Sequence, residues 1–304
     1  MKKTLLLFGI TLTFVSCTST VRMGHTTRMA NTTFTLWLPD DATSQGQTIK
    51  WRSSNRSVAV VNNGAVSVRD VQNNPLSGQV STITITAKAR KKKYAWSFVV
   101  SSDCNPQVFT NPGRASFRTP RTWTVGNQEW SDVVVASNCR NRTTFNPLRG
   151  GTHSHRSGAD CRSNSSYGDF FSWCAVIQFQ DQLCPEDWRV PTSEDFEALD
   201  RALGGTGMLR GDIPSSFINS RYIDRWGGAF GGGVSAHTRE ISGQRGSNIE
   251  VAGYWFSGVI TDEACLYFSL MGSRGSVVPR SGNCAPWDGY SLRCVRTPLA
   301  GTQR

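Results

Sequence analysis

The sequence predicts a mostly β, α+β chain in two parts: an N-terminal β-sandwich, then an α+β domain with few helices. Three observations carry that expectation. Short alternating apolar runs, split by turn formers, fill residues 34–99. One later stretch, residues 192–204, carries helix punctuation at both ends. The rest of the second half is rich in Gly, Trp and Arg and shows little helical periodicity.

The first element is a leader. Lys2 and Lys3 precede an apolar run, Leu5 to Val15, too short to span a bilayer as a stable helix. Phe14-Val15-Ser16-Cys17 resembles a bacterial lipobox, with Phe where Leu is usual. The resemblance implies a lipoprotein signal peptide over residues 1–16, lipidation of Cys17 and attachment to a membrane through that lipid. Plain secretion with Cys17 discarded is the alternative. The lipoprotein reading places the protein at the outer membrane, facing the periplasm or the outside.

Export makes the cysteines readable. Nine less Cys17 leave Cys104, Cys139, Cys161, Cys174, Cys184, Cys265, Cys284 and Cys294. An even set in an oxidising compartment reads as disulfides, and the paired C-x-x-C spacing of a zinc site is missing. About 290 mature residues suit two domains. The net charge of +11 is unevenly spread. Residues 21–102 carry 11 Lys+Arg against 3 Asp+Glu, and residues 103–304 carry 20 against 19. The basicity centres on Arg90-Lys91-Lys92-Lys93, which reads as a solvated hairpin turn, with anionic envelope polymers as the functional alternative. A nucleic-acid partner is not expected.

Residues 17–31 read as a tether, having no hydrophobic periodicity. Strands are then expected at Phe34–Leu38, Ile49–Trp51, Val58–Val61, Ala65–Val68, Ile83–Thr86 and Trp96–Val99, with Asn62-Asn63-Gly64 at hairpin spacing. This puts a sandwich over residues 32–102, followed by a Ser-, Asn-, Pro- and Gly-rich boundary. In CPEDWRVPTSEDFEALDRALGG, Thr192 or Ser193 can cap a helix, with Glu194 and Asp195 placed for a capping box. Phe196, Leu199 and Leu203 give one buried stripe, and Gly204 supplies the left-handed end. A weaker helix is expected near Ser215–Trp226. The run GGAFGGG at 227–233 lacks the setting of a phosphate loop and reads as a place where loops pass closely.

Two family resemblances sharpen this picture. IKWRSSNRSVAVVNNGAVSV, followed by STITITAKA, resembles the bacterial Ig-like group 2 domain, which implies a spacer or adhesin module over residues 32–102. YGDFFSWCAVIQFQDQLCPEDWRVPTSEDFEALDRALGG, the Tyr254-Trp255 segment and the ending GYSLRCV resemble the Fibrobacter succinogenes major paralogous domain, over residues 108–297. Thr124–Trp130 resembles its opening strand, and Asp187 stands where that family usually has Gly. The resemblance implies a C-type-lectin-like fold, in which the first and last strands pair and the loops between them build one face. It also implies a Cys184–Cys294 disulfide, closing a loop worth roughly 4–5 kcal/mol of chain entropy, and a Cys265–Cys284 bond. Cys161 is best used with Cys139. Cys104 and Cys174 then form a fourth pair, or Cys174 is a buried thiol beside Trp173.

The same broad fold resembles formylglycine-generating enzymes, but their closely spaced reactive cysteine pair is missing, since Cys265 and Cys284 lie nineteen apart. No catalytic residues are therefore expected, and an oxidase of that kind is the least favoured reading. The E-P-N or Q-P-D triplets of calcium-dependent lectins do not occur, and Trp287-Asp288-Gly289 is only a faint echo of W-N-D. His153 and His155 near Asp160 read as solvated loop residues, so neither a metal nor a cofactor is expected. The candidate ligand-binding residues are Asp262, Glu263, Tyr267, Arg274, Arg280 and Trp287, in the loops between Trp255 and Gly289. Arg and aromatic side chains suit a recognition surface, although several could simply pack. The expected function is a non-enzymatic envelope protein binding a glycan or protein there. A structural accessory of a surface appendage, with no ligand pocket, is the rival.

Overall fold

The computed structural model describes residues 20–29, 32–36, 38, 48–69, 82–89, 92–101, 104–147, 157–164, 166–185, 187–257, 265–281, 285 and 287–297. The chain is mostly β with a few short helices.

The N-terminal part is a sandwich of two sheets. One sheet orders β1 (Thr20–Met29), β7 (Lys92–Ser101), β6 (Thr82–Ala89) and β3 (Lys50–Ser53); the other orders β2 (Thr33–Thr35), β5 (Ala65–Val68) and β4 (Ala59–Asn62). In β6, Ile83, Ile85, Ala87 and Ala89 are buried in strict alternation, as expected of a strand with one face in the core. Ile83 and Ile85 meet Phe34, Val58, Val66 and Phe98 between the sheets. The Asn63-Gly64 turn between β4 and β5 has φ values of 46° and 87°, both positive as a type I′ hairpin requires. The serine-asparagine corner has a local cause. Asn55 Oδ1 accepts from the Ser57 amide and hydroxyl at 3.1 and 2.6 Å, and Ser54 Oγ accepts from the Thr84 amide at 2.9 Å.

Residues 20–29, expected within a tether, form β1 instead and run parallel to β7. Backbone pairing on an open sheet edge needs no apolar alternation, so the pattern of side chains does not announce it. Arg28 near its end donates two hydrogen bonds to Asp181 at 2.7 and 3.0 Å, tying this strand to the second domain.

After the sandwich comes β8 (Cys104–Phe109), which pairs in parallel with Ser157–Ala159. The strand Gln128–Ala136 pairs antiparallel with Arg293–Arg296, so an early strand of this part and the last described strand lie side by side. Among the described residues, a nine-stranded sheet carries the rest, including the hairpin Cys265–Met271/Arg274–Ser281. Among the described residues, four short helices accompany it: α1 (Trp173–Gln178), α2 (Gln180–Leu183), α3 (Ser193–Ala202) and α4 (Ser215–Ile218), the last continuing as a π-helical stretch over Asn219–Arg225. In α3, Thr192 is the cap and Asp195 completes the capping box. The α3 stripe enters a core where the Phe196 ring stacks on Trp130, 5.1 Å between centroids. No sequence pattern announces α1. All of Trp173 to Ile177 is buried, so no polar face marks a helical period.

Three disulfides are described in full: Cys104–Cys174, Cys139–Cys161 and Cys184–Cys294. Cys174 is therefore bonded and not a free thiol. Cys265 is also disulfide-bonded, while Cys284 lies outside the described residues. Glycine serves close packing where the run 227–233 predicted it. A Cβ on Gly231 would lie 2.9 Å from the Tyr167 side chain, and one on Gly228 would lie 2.7 Å from the Tyr222 carbonyl.

Candidate functional site

The CPEDWRVPT corner is an architectural joint. Cys184 bonds Cys294 on the last strand, and Arg189 exchanges backbone hydrogen bonds with Val295 at 3.0 and 2.9 Å. The Arg189 guanidinium then grips Asp195 at 2.5 and 2.9 Å, and Gln128, at the start of the strand Gln128–Ala136, donates to the same carboxylate at 2.8 Å. Trp188 lies edge-on to Phe117 and beneath the Arg296 guanidinium, 4.5 Å from the ring centre. The motif thus ties α3, the strand Gln128–Ala136 and the last described strand together.

Two deeper polar groups also serve architecture. Arg293 is fully buried between Trp123 and Trp226 and donates to the Ser131 and Trp226 carbonyls, both at 2.7 Å. Burial lowers its pKa to about 10, so it stays charged at neutral pH. Asp200, also fully buried, accepts from Arg210 at 2.6 Å, from the Gly207 amide at 2.6 Å and from the Tyr222 hydroxyl.

The residues expected to bind ligand do not form one cluster. Tyr267 is half-buried mid-strand opposite Val278 and packs on the core. Its phenol is pushed above the usual tyrosine pKa by burial. Arg274 sits at the turn of the hairpin, exposed, donating to Asp212 at 2.6 and 2.5 Å. Ser281 lies at the hairpin's other end, opposite Cys265, which puts it about 20 Å from Arg274 at strand rise. Trp287 is half-buried beyond that far end. Arg280 is in the strand, but its side chain, like Asp262 and Glu263, lies outside the described residues, as do His153 and His155.

A cleft of about 550 Å³ opens elsewhere on this domain. Phe230, Ile223, Leu270 and the half-buried Tyr167 form its apolar side; Arg245, Asn248 and Glu250 form its polar rim. The rim turn is pre-set by its own hydrogen bonds: the Arg245 amide donates to the Phe230 carbonyl at 2.9 Å, and the Gly246 amide to Glu250 Oε1 at 2.8 Å. The floor is fixed from below, where the buried Tyr254 hydroxyl accepts from the Ala229 amide at 2.9 Å. The π-helical stretch presents Asn219 and Ile223 to the same space, a deviation often found at functional sites. Sequence reasoning missed this cleft because its walls come from residues 167 to 272. The usable hint was a phenylalanine within a glycine run, facing a turn containing Arg and Asn. Among the described residues, no three His, Cys, Asp or Glu side chains gather as a metal-binding set.

The pairing of Gln128–Ala136 with the last described strand, the disulfide staples and a preformed cleft define a domain that presents loops on a scaffold. The chain belongs to the Fibrobacter succinogenes major domain family, whose model matches residues 124–296. No curated protein and no solved structure matches it. Among the described residues, no helix is long and apolar enough to cross a membrane.

Proposed function

We propose that this is a non-enzymatic, lipid-anchored envelope protein whose C-type-lectin-like domain recognises a glycan in the Tyr167–Phe230–Arg245 cleft. The cleft itself carries the reading. It sets an aromatic and aliphatic wall against Arg, Asn and Glu side chains. A pyranose offers the matching pair of surfaces, an apolar C–H face and a hydroxyl edge. Its walls are held before any ligand arrives, which lowers the entropy cost of binding. The Ig-like sandwich acts as the spacer. Supporting this, Thr20 pairs with Lys93 at one end of β7, and β7 runs ten residues, about 30 Å, before the chain enters the second domain.

The test is a glycan array probed with the whole mature chain, followed by titration of any hit. Saturable binding is expected, and Tyr167→Ala or the pair Arg245→Ala/Asn248→Ala should weaken it at least about tenfold with unchanged melting. An array without saturable binding, or binding untouched by both variants, overturns the reading. Capture of a protein ligand that these variants do not disturb also counts against the cleft.

A further inference from the structure

We infer that the outer face of the four-stranded sheet, at the end where the chain enters, is a basic surface that rests on anionic lipid headgroups. The inference builds on the lipid-anchor reading. The strand register supplies the central observation. Thr20 pairs with Lys93, Lys93 with Lys88, and Lys88 with Lys50, so one row crosses all four strands. Directly opposed residues share a face of a sheet. All three lysines are exposed, and the neighbouring alternate position on β3 adds exposed Arg52. The interleaved residues Trp51, Ala87 and Tyr94 take the core side.

Like charges set directly opposite one another destabilise a sheet, yet here two successive pairs are lysine on lysine. Among its described residues the sandwich has no Asp or Glu to neutralise them; Asp40, Asp41 and Asp70 lie outside the described residues. An external anion would relieve the repulsion. Lys93 also belongs to the basic run Arg90-Lys91-Lys92-Lys93 in the sequence.

Position selects which anion. Cys17 is three residues before Thr20, a covalent reach of at most about 10 Å. A lipid on Cys17 would therefore hold the lysine row within roughly a Debye length of the headgroups. One acyl signal is strengthened by a basic patch on the same side. The second domain leaves from the other end of β7, at Ser101, so the basic row and the exit to the domain that carries the cleft lie at opposite ends of that strand.

Vesicle co-sedimentation tests this with residues 18–304, which keep every described residue and carry no acyl group. The chain should bind phosphatidylglycerol-containing vesicles, fail to bind pure phosphatidylcholine, and release in high salt. The variant Lys50→Gln/Lys88→Gln/Lys93→Gln should bind roughly a hundredfold more weakly. A control with equal charge change, Arg140→Gln/Arg201→Gln/Arg225→Gln on the second domain, should bind as the parent does. Equal weakening by both triple variants would mean that only net charge matters and would overturn the assignment. So would tighter, lysine-dependent binding to a soluble polyanion than to the vesicles. Because no lipid on Cys17 is involved, failure of the anchor reading would leave this result standing on its own.

Discussion

The guanidinium of Arg293 lies 4.4 Å from the ring centre of Trp226 and 4.5 Å from that of Trp123, a cation held between two indoles. It is also the donor that satisfies two backbone carbonyls in the core. Arg293→Leu should therefore cost about 3 kcal/mol, most of it from the orphaned carbonyls. Arg293→Lys should recover little, because an ammonium cannot fill the slot between the rings and reach both acceptors. Chemical denaturation of the two variants measures this; a loss under about 1 kcal/mol for Arg293→Leu would contradict it.

Asp200 organises three donors without any exposure to water. Asp200→Ala leaves Arg210 as an unpaired cation and should lower stability by about 3–5 kcal/mol. Tyr222→Phe removes one hydroxyl and should cost only about 1–2 kcal/mol. Thermal melts that rank the two the other way would show that the carboxylate is not the centre of this network.

Disulfide removal should scale with the loop each bond closes. Cys184–Cys294 spans 110 residues and Cys139–Cys161 spans 22, worth about 4–5 and about 3 kcal/mol on the chain-entropy model. Paired Cys→Ser variants compared by denaturation provide the check. Thiol counting on the denatured, unreduced chain from residue 18 should find none free; two or more would break the framework.

Alkaline pH should unfold the protein through its tyrosines. Tyr222, Tyr254, Tyr267 and Tyr290 all have pKa values raised, in each case chiefly by burial. Their folded-state values lie above the unfolded value near 10, so the native state holds more protons once pH passes that point. The stabilisation is fully present below about pH 10 and is lost as pH rises further. Lowered Arg293 acts in the opposite sense over the same range, one group against four. Ultraviolet titration should show these phenols ionising together with loss of fold; smooth ionisation in a folded chain would refute this.

The sequence displayed some of this plainly and hid the rest for identifiable reasons. Alternation exposed β6, and the Thr192–Gly204 punctuation exposed α3, because each has one face in water and one in the core. The short α1 is buried all round, and β1 joins the sheet edge through backbone pairing that needs no apolar alternation, so neither leaves a period to read. The candidate residues Tyr267, Arg274 and Trp287 share a sequence neighbourhood, but a hairpin carries its turn and its base to opposite ends. The Tyr167–Phe230–Arg245 cleft has the reverse character: its residues are far apart in sequence and meet only through the sheet.

Cys104–Cys174 and Cys184–Cys294 have a mechanical consequence. For a pull applied at the two ends of the chain, the covalent path runs from Cys104 to Cys174, along the chain to Cys184, and across to Cys294. Residues 105–173 and 185–293 lie off that path, so tension cannot draw them out while both bonds hold. The sandwich resists differently. β1 and β7 are parallel, and force entering at Thr20 and leaving at Ser101 loads their hydrogen bonds in shear, so the ladder must fail as a whole. Under tension the molecule would behave as a nearly inextensible strut.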